Sequence, residues 1–292
     1  MTSDIRTVTL IGTGVLGSQI AYQAAYCGYS VIAYDVNDEA LGAARVNLRE
    51  LALRYEREVQ GAGDGRARSA LARVKCTSDL ADAVRDTDLV IEAAPEKLEL
   101  KRDIYRNLGR YAPERTIFAT NSSTLLPSDM AASTGRPERF VALHFAVGVW
   151  IHNIGEVMGH PGTDPAVYET VVEFARSIGM QPIELKKEQP GYVSNSLMIP
   201  LLFAAVDLLV NDVAEPEMID ATWRIATLAP EGPLQILDTI GLVTPYNILA
   251  ASPDEQSQAR AKYLKEHYID KGKLGRATGE GIYKYPAAAE AA

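Results

Sequence analysis

Cysteine, basic charge and long apolar runs are all scarce in this sequence, and each shortage excludes something. Only Cys27 and Cys76 occur in 292 residues. Two thiols so far apart build neither a disulfide framework nor a zinc cluster, and no other metal-ligand spacing is present. The shortage fits a reducing compartment, so a cytoplasmic protein without a metal is expected. Lys and Arg number 29 against 38 Asp and Glu, a formal net charge of −9. A nucleic-acid partner, which needs a basic face, is not expected. The longest apolar stretch, 197–210, is broken by Pro200 and Asp207 and falls short of the roughly 20 residues that cross a bilayer. It reads as a core or interface helix. The opening Met1-Thr-Ser-Asp-Ile-Arg6 lacks the apolar stretch of a signal peptide. No Gly-x-Ser-x-Gly elbow occurs, which argues against a hydrolase of that build. Low complexity is confined to an Ala-rich tail from Ala287.

What remains is the composition of a folded protein. Hydrophobic residues make up 47% and charged residues 23%, near globular averages, and the length suits two domains. Short apolar strands are expected at 6–11, 30–34, 89–93, 116–119, 139–145 and 181–185, with helical patterns at 15–26, 38–60, 97–108 and 165–178. Such alternation predicts an α/β domain with a parallel sheet covered on both faces. Beyond Lys186-Lys-Glu-Gln-Pro190 the apolar residues recur at three and four, and helices are expected at 195–210, 216–227 and 253–268. The boundary is placed so that 1–188 form the α/β domain and 189–292 a smaller, all-α domain.

Gly12-Thr13-Gly14-Val15-Leu16-Gly17 lies between the first expected strand and the first helix, the context that a phosphate-binding glycine loop requires. One glycine makes the turn, the next lets backbone approach a pyrophosphate, and the third lets the helix pack on the strand. The helix start at Val15 and Leu16 then offers N–H groups and the positive end of its dipole. Asp35 closes the second strand, where a carboxylate accepts from a ribose 2′-OH and repels a 2′-phosphate. The pattern predicts NAD rather than NADP. Glu96 and Lys101 follow the strand at 89–93, at the same edge of the sheet. A cofactor role and a plain solvated helix start both fit them.

Of His144, His152, His160 and His267, only His144 ends an apolar strand. That places an imidazole at the mouth of the sheet, where a cofactor's reactive ring would lie. Oxidation of an alcohol by hydride transfer needs a base for the hydroxyl proton, and imidazole suits that task. Glu156, across an expected turn, is the candidate to fix its tautomer. Ser123, in the Asn121-Ser122-Ser123-Thr124 run after another strand, offers a hydroxyl to a substrate oxygen or caps the next helix. A purely structural His144 also fits, and Asn195 reads as a helix cap or boundary residue.

Taken in order, Gly12 to Gly17, Phe118-Ala-Thr-Asn-Ser-Ser123, Phe140-Val-Ala-Leu-His144-Phe, Glu156-Val, Pro190-Gly-Tyr-Val-Ser-Asn195 and Thr278-Gly-Glu-Gly-Ile-Tyr-Lys-Tyr285 resemble the L-3-hydroxyacyl-CoA dehydrogenase family. The resemblance runs from Val8 to Tyr285. It implies a Rossmann-like N-terminal domain, a helical C-terminal domain that makes a homodimer, and a substrate cleft between them. It also implies His144 as catalytic base, Glu156 as its carboxylate partner, and Ser123 and Asn195 holding the substrate at the reacting carbon. Gly12, Gly14, Val15, Leu16, Gly17, Asp35, Glu96 and Lys101 would bind NAD. The implied reaction is reversible oxidation of an L-3-hydroxyacyl-CoA, short-chain such as 3-hydroxybutyryl-CoA, to the 3-ketoacyl-CoA, with hydride to nicotinamide and the hydroxyl proton to His144.

Three positions depart from the family pattern. His144-Phe-Ala-Val147-Gly148 replaces the usual His-Phe-Phe-Asn-Pro, so Val147 stands for an asparagine. Glu58 stands where relatives carry a lysine for CoA phosphates, with Arg54 and Arg57 as possible substitutes. Ala277 stands where some relatives have a cofactor-contacting lysine. The departures open an alternative in which the same chemistry acts on a carrier-protein-bound or free hydroxy acid. An ordinary solvated helix face is the competing reading of Arg54 and Arg57. The apolar face of 197–208 (Leu197, Leu201 and Leu208, with Ile199, Leu202 and Val206) is expected to carry the homodimer contact.

Overall fold

The computed structural model describes residues 5–286. The stretch up to residue 4 and the Ala-rich tail from Ala287 lie outside the described residues. The chain divides into two compact units, Met1–Val193 and Ser194–Ala292.

In the first unit the chain runs β1 (Thr7–Ile11), α1 (Val15–Tyr26), β2 (Ser30–Tyr34), α2 (Asp38–Glu58), α3 (Arg66–Leu71), β3 (Val74–Thr77), α4 (Leu80–Val84), β4 (Leu89–Glu92), α5 (Leu98–Tyr111), β5 (Ile117–Thr120), α6 (Pro127–Met130), β6 (Phe140–Phe145), β7 (Ile154–Met158), α7 (Pro165–Ser177) and β8 (Gln181–Leu185). The strands form one sheet in the order β3-β2-β1-β4-β5-β6-β7-β8. All pairings among strands β1 to β6 are parallel. The sheet is not wholly parallel, however, because β7 pairs antiparallel with β6. Side chains alternate between the two faces, as the pleat requires. Val8, Leu10, Leu89, Ile91, Ile117, Val141 and Leu143 join one apolar cluster. Ile11, Val90, Phe118 and Phe140 join the other. The helices are sealed locally: Asn37 caps α2 through Ala40 N–H, and Asp164 caps α7 ahead of Pro165.

The second unit is helical: α8 (Ser194–Val210), α9 (Pro216–Thr227), α10 (Pro233–Ile240), α11 (Val243–Ala251) and α12 (Glu255–His267). Its core gathers Leu202, Val206, Leu209, Leu234, Leu237, Leu242 and Leu264. Leu202 and Val206 are therefore spent inside the unit, whereas Leu197 is 70% and Leu208 38% exposed. Buried Asp238 accepts from Ile282 N–H, Tyr283 N–H and the Tyr285 hydroxyl, which fastens the last described segment onto α10. Among the described residues no helix is long and apolar enough to cross a membrane.

Candidate active site

The glycine loop turns from β1 into α1. Gly12 has φ +93°, and a Cβ there would lie 2.7 Å from the Ala93 carbonyl oxygen. A Cβ on Gly17 would lie 2.0 Å from the Gly12 oxygen. These two glycines are demanded by the fold itself. Gly14 differs: its Cβ would meet nothing within 4 Å, so the space beside it is free for a ligand. No side chain caps α1, and its first turn holds no acid. Val15 and Leu16 thus open a helix N-terminus suited to a phosphate. Asp35 accepts from Thr13 N–H (2.8 Å) and the Thr13 hydroxyl (2.7 Å) through one oxygen and from Val36 N–H through the other. It fixes the loop and retains lone pairs for a ribose hydroxyl. Open Gly14, an uncapped helix start and a carboxylate beside the loop fit NAD.

Lys101 lies elsewhere than an exposed cofactor contact would. Its side chain is 1% exposed and donates to Glu92 at 2.6 Å and to the Ala94 carbonyl at 3.1 Å. Glu92, itself fully buried, also accepts from Ala94 N–H and from the Thr120 and Tyr105 hydroxyls. This network braces the ends of β4 and β5 beneath the loop. Lys101 reaches the surface only through Glu96, at 3.4 Å. Glu96 accepts from the Ser122 hydroxyl and from Thr124 N–H and hydroxyl. Burial acts to raise its carboxyl, but the Ser122 bond, the Lys101 charge and the Thr124 donors outweigh it and hold Glu96 below the usual carboxylate range.

His144 and Glu156 are directly opposite one another on antiparallel β6 and β7, the closest side-chain neighbours a sheet provides. His144 Nδ1 lies 2.9 Å from Glu156 Oε2, and its Nε2 lies 3.1 Å from Ser123 Oγ. A carboxylate only accepts, so Nδ1 carries a proton; when the ring holds only that proton, Nε2 accepts from the Ser123 hydroxyl. Asn121 Oδ1 takes Phe145 N–H at 2.9 Å, which pins the end of β5, and so Ser123, to the end of β6. His144 is 7% exposed. An imidazole with its Nδ1 proton held by Glu156 therefore stands at the carboxyl ends of the parallel strands, where ligands of such sheets bind.

Asn195 is the second residue of α8, in the other unit. Arg54 donates to Glu58 at 3.1 Å, and its guanidinium lies 4.6 Å from the centre of the Trp150 ring. Trp150 Nε1 donates to Glu58 at 2.8 Å. The Arg54 bond, with Trp150 adding to it against burial, holds the Glu58 carboxyl low. Arg57 is exposed in the last turn of α2. Val147 is 59% exposed in the bend after β6. Among the described residues no group of acids, histidines and cysteines could hold a metal.

Two close partners of the site, Tyr192 and Val193, lie inside the Pro190-Gly-Tyr-Val-Ser-Asn195 motif but were given no role by the sequence. Tyr192 stacks on His144 with ring centres 4.5 Å apart and planes 11° apart. Val193 N–H donates to Glu156 Oε1 at 3.0 Å. Their place in that motif and the preceding Gly191, at φ +78°, were the available hints.

Residues 7–189 match the model of the 3-hydroxyacyl-CoA dehydrogenase NAD-binding domain, and residues 191–285 that of the C-terminal domain of the same family. A solved diketoreductase, described as a substrate-directed dual catalyst of dicarbonyl compounds, is 60% identical with a TM-score of 0.93, over 98% of this chain and 100% of that one. The mitochondrial hydroxyacyl-coenzyme A dehydrogenase of Sus scrofa is 33% identical over 96% of this chain and 91% of its own. The 3-hydroxybutyryl-CoA dehydrogenase of Bradyrhizobium diazoefficiens is 33% identical over 98% and 97%. With its glycine loop fitted to NAD and both family domains present, the chain belongs to the 3-hydroxyacyl-CoA dehydrogenase family of NAD-dependent enzymes.

Proposed function

We propose that this enzyme interconverts a short L-3-hydroxyacyl compound and its 3-keto form, with His144 as the base. The hydrogen-bonded series Ser123–His144–Glu156 carries this reading. Bound NAD supplies the hydride acceptor. His144 Nε2 takes the hydroxyl proton as the carbon–hydrogen bond breaks, and Glu156 stabilises the resulting imidazolium. When the substrate hydroxyl takes the Nε2 lone pair, the Ser123 hydroxyl turns from Nε2 to the reacting oxygen and holds it in place, and Asn195 is proposed as a further substrate contact. In reduction the same proton returns to the carbonyl oxygen. Gly12, Gly14, Val15, Leu16, Gly17, Asp35 and Glu96 hold the cofactor, with Lys101 acting behind Glu96.

Two substrate handles are consistent with this chemistry: a CoA thioester such as 3-hydroxybutyryl-CoA, and a small hydroxycarbonyl compound without CoA. A specific observation favours the second. The Arg54 charge is already paired with Glu58 and lies against the Trp150 ring, although its side chain stays 44% exposed, and the 60% identical relative is a diketoreductase. NADH oxidation with acetoacetyl-CoA, free acetoacetate and a free dicarbonyl ester separates the handles. Turnover confined to the thioester supports the CoA reading, and turnover of the free dicarbonyl supports the other. Failure of all three would overturn the proposed chemistry.

We also assign a homodimer to the helical unit. Leu197, Ile225 and Leu228 stand 70%, 78% and 90% exposed, apolar side chains that a subunit contact would cover. A monomeric mass by light scattering at micromolar concentration would contradict the assignment.

A further inference from the structure

The peptide Tyr192–Val193, the last two residues of the first unit, touches the whole proton relay. The Tyr192 ring lies flat on the His144 imidazole. Its hydroxyl donates to the Ser122 carbonyl at 2.7 Å, one residue from Ser123. Val193 N–H holds the Glu156 oxygen that does not face His144. The backbone that achieves this is unusual. Tyr192 has φ +53°, directly after Gly191 at φ +78°. A bulky residue in the left-handed region is strained, and such strain persists only where surrounding contacts demand it. Here the left-handed turn aims the ring back at His144 while the next N–H faces Glu156. The ring is 1% exposed. Burial, then the nearby carboxylates of Glu156, Glu96 and Glu92, push the phenol far above its ordinary range, so it remains a hydroxyl donor.

We propose that Tyr192 is a positioning residue for the hydride-transfer reaction: its ring holds the His144 imidazole in the plane that joins Ser123 to Glu156 and favours the imidazolium formed when Nε2 takes the substrate proton. The inference rests on the reading of His144 as the base. A neutral aromatic face attracts a cation set against it, and more strongly when both are shielded from water. The imidazolium gains this attraction and the neutral imidazole does not, so the contact acts on the proton-transfer step and not on cofactor binding.

The test compares Tyr192→Leu, Tyr192→Phe and His144→Ala with the parent enzyme, by steady-state kinetics on whichever keto substrate it turns over and by NADH fluorescence titration. Tyr192→Leu removes the ring. Its expected signature is a kcat lower by about 20-fold with NADH affinity unchanged. Tyr192→Phe keeps the ring and loses only the Ser122 bond, so it should restore kcat to within about threefold. In the parent protein, histidine spectra should show two imidazoles with ring protons shifted by an aromatic face, His144 on Tyr192 and His267 on Tyr263, and only the first of these signals should vanish in His144→Ala. An unshifted His144 would overturn the inference even where Tyr192→Leu did not fold. So would a folded Tyr192→Leu with parental kcat, or a Tyr192→Phe as impaired as Tyr192→Leu. A His144→Ala enzyme that keeps its turnover defeats instead the reading on which the inference rests.

Discussion

Glu156→Gln is the sharpest perturbation of the relay. Glu156 is fully buried and places one oxygen 2.9 Å from His144 Nδ1 and the other 3.0 Å from Val193 N–H. At about 4 Å between charge centres and an effective dielectric near 20, the carboxylate stabilises an imidazolium by about 4 kcal/mol. The amide keeps one hydrogen bond, which recovers about 1 kcal/mol. The remaining 3 kcal/mol or so corresponds to a kcat lower by roughly 150-fold. The amide also has only one acceptor for two donors. Turned to spare Val193, it offers N–H to Nδ1 and favours the tautomer whose Nε2 cannot accept a proton. The loss should therefore appear in kcat, with NADH affinity by fluorescence and the melting temperature near those of the parent. A folded Glu156→Gln enzyme within threefold of parental kcat would refute the claim that Glu156 stabilises a charged His144 in the transition state.

Other expectations follow from the same geometry. Gly14→Ala should leave the melting temperature unchanged and weaken NADH binding at least tenfold, because its Cβ meets only open space; Gly17→Ala should lower the melting temperature as well, since its Cβ falls 2.0 Å from backbone. Lys101→Met leaves Glu92 buried without its cation, a loss of about 3–5 kcal/mol that thermal melting should show as a fall of about 10 °C. The Glu96 carboxyl is held low in the fold, so its stabilisation is fully present above its unfolded pKa and is lost as pH falls through the lower folded value. Denaturant titrations between about pH 5 and pH 3 should show this acid limb flattened in Glu96→Gln.

The helix α1, the strands β2 and β8 and the glycine loop could be read from the sequence because apolar periodicity and glycine spacing are local signals. Strand β7 was not, although it carries Glu156. Its five residues include Gly155, kept small because a Cβ would press on Met180 and Ala175 at 3.3 and 3.4 Å. The stretch Ile154–Met158 therefore lacks a clean alternation, and the sequence places Glu156 only beyond a turn, whereas it stands directly across a strand pair from His144. Lys101 looked like an exposed helix residue because nothing in the chain announces a buried partner such as Glu92. Helices α10 and α11 are short, and each holds a proline near its start, which masked them. The contacts of Tyr192 and Trp150 join segments distant in sequence, and a single sequence carries no trace of such pairings.

The central claim is that His144 carries the proton while cofactor binding belongs to the glycine loop. Its most direct test is ketone-dependent NADH oxidation by His144→Ala beside an NADH titration of the same preparation. A kcat lower by about 10³-fold with parental NADH affinity is the predicted result. Turnover within a few fold of the parent, at equal NADH affinity, would contradict it.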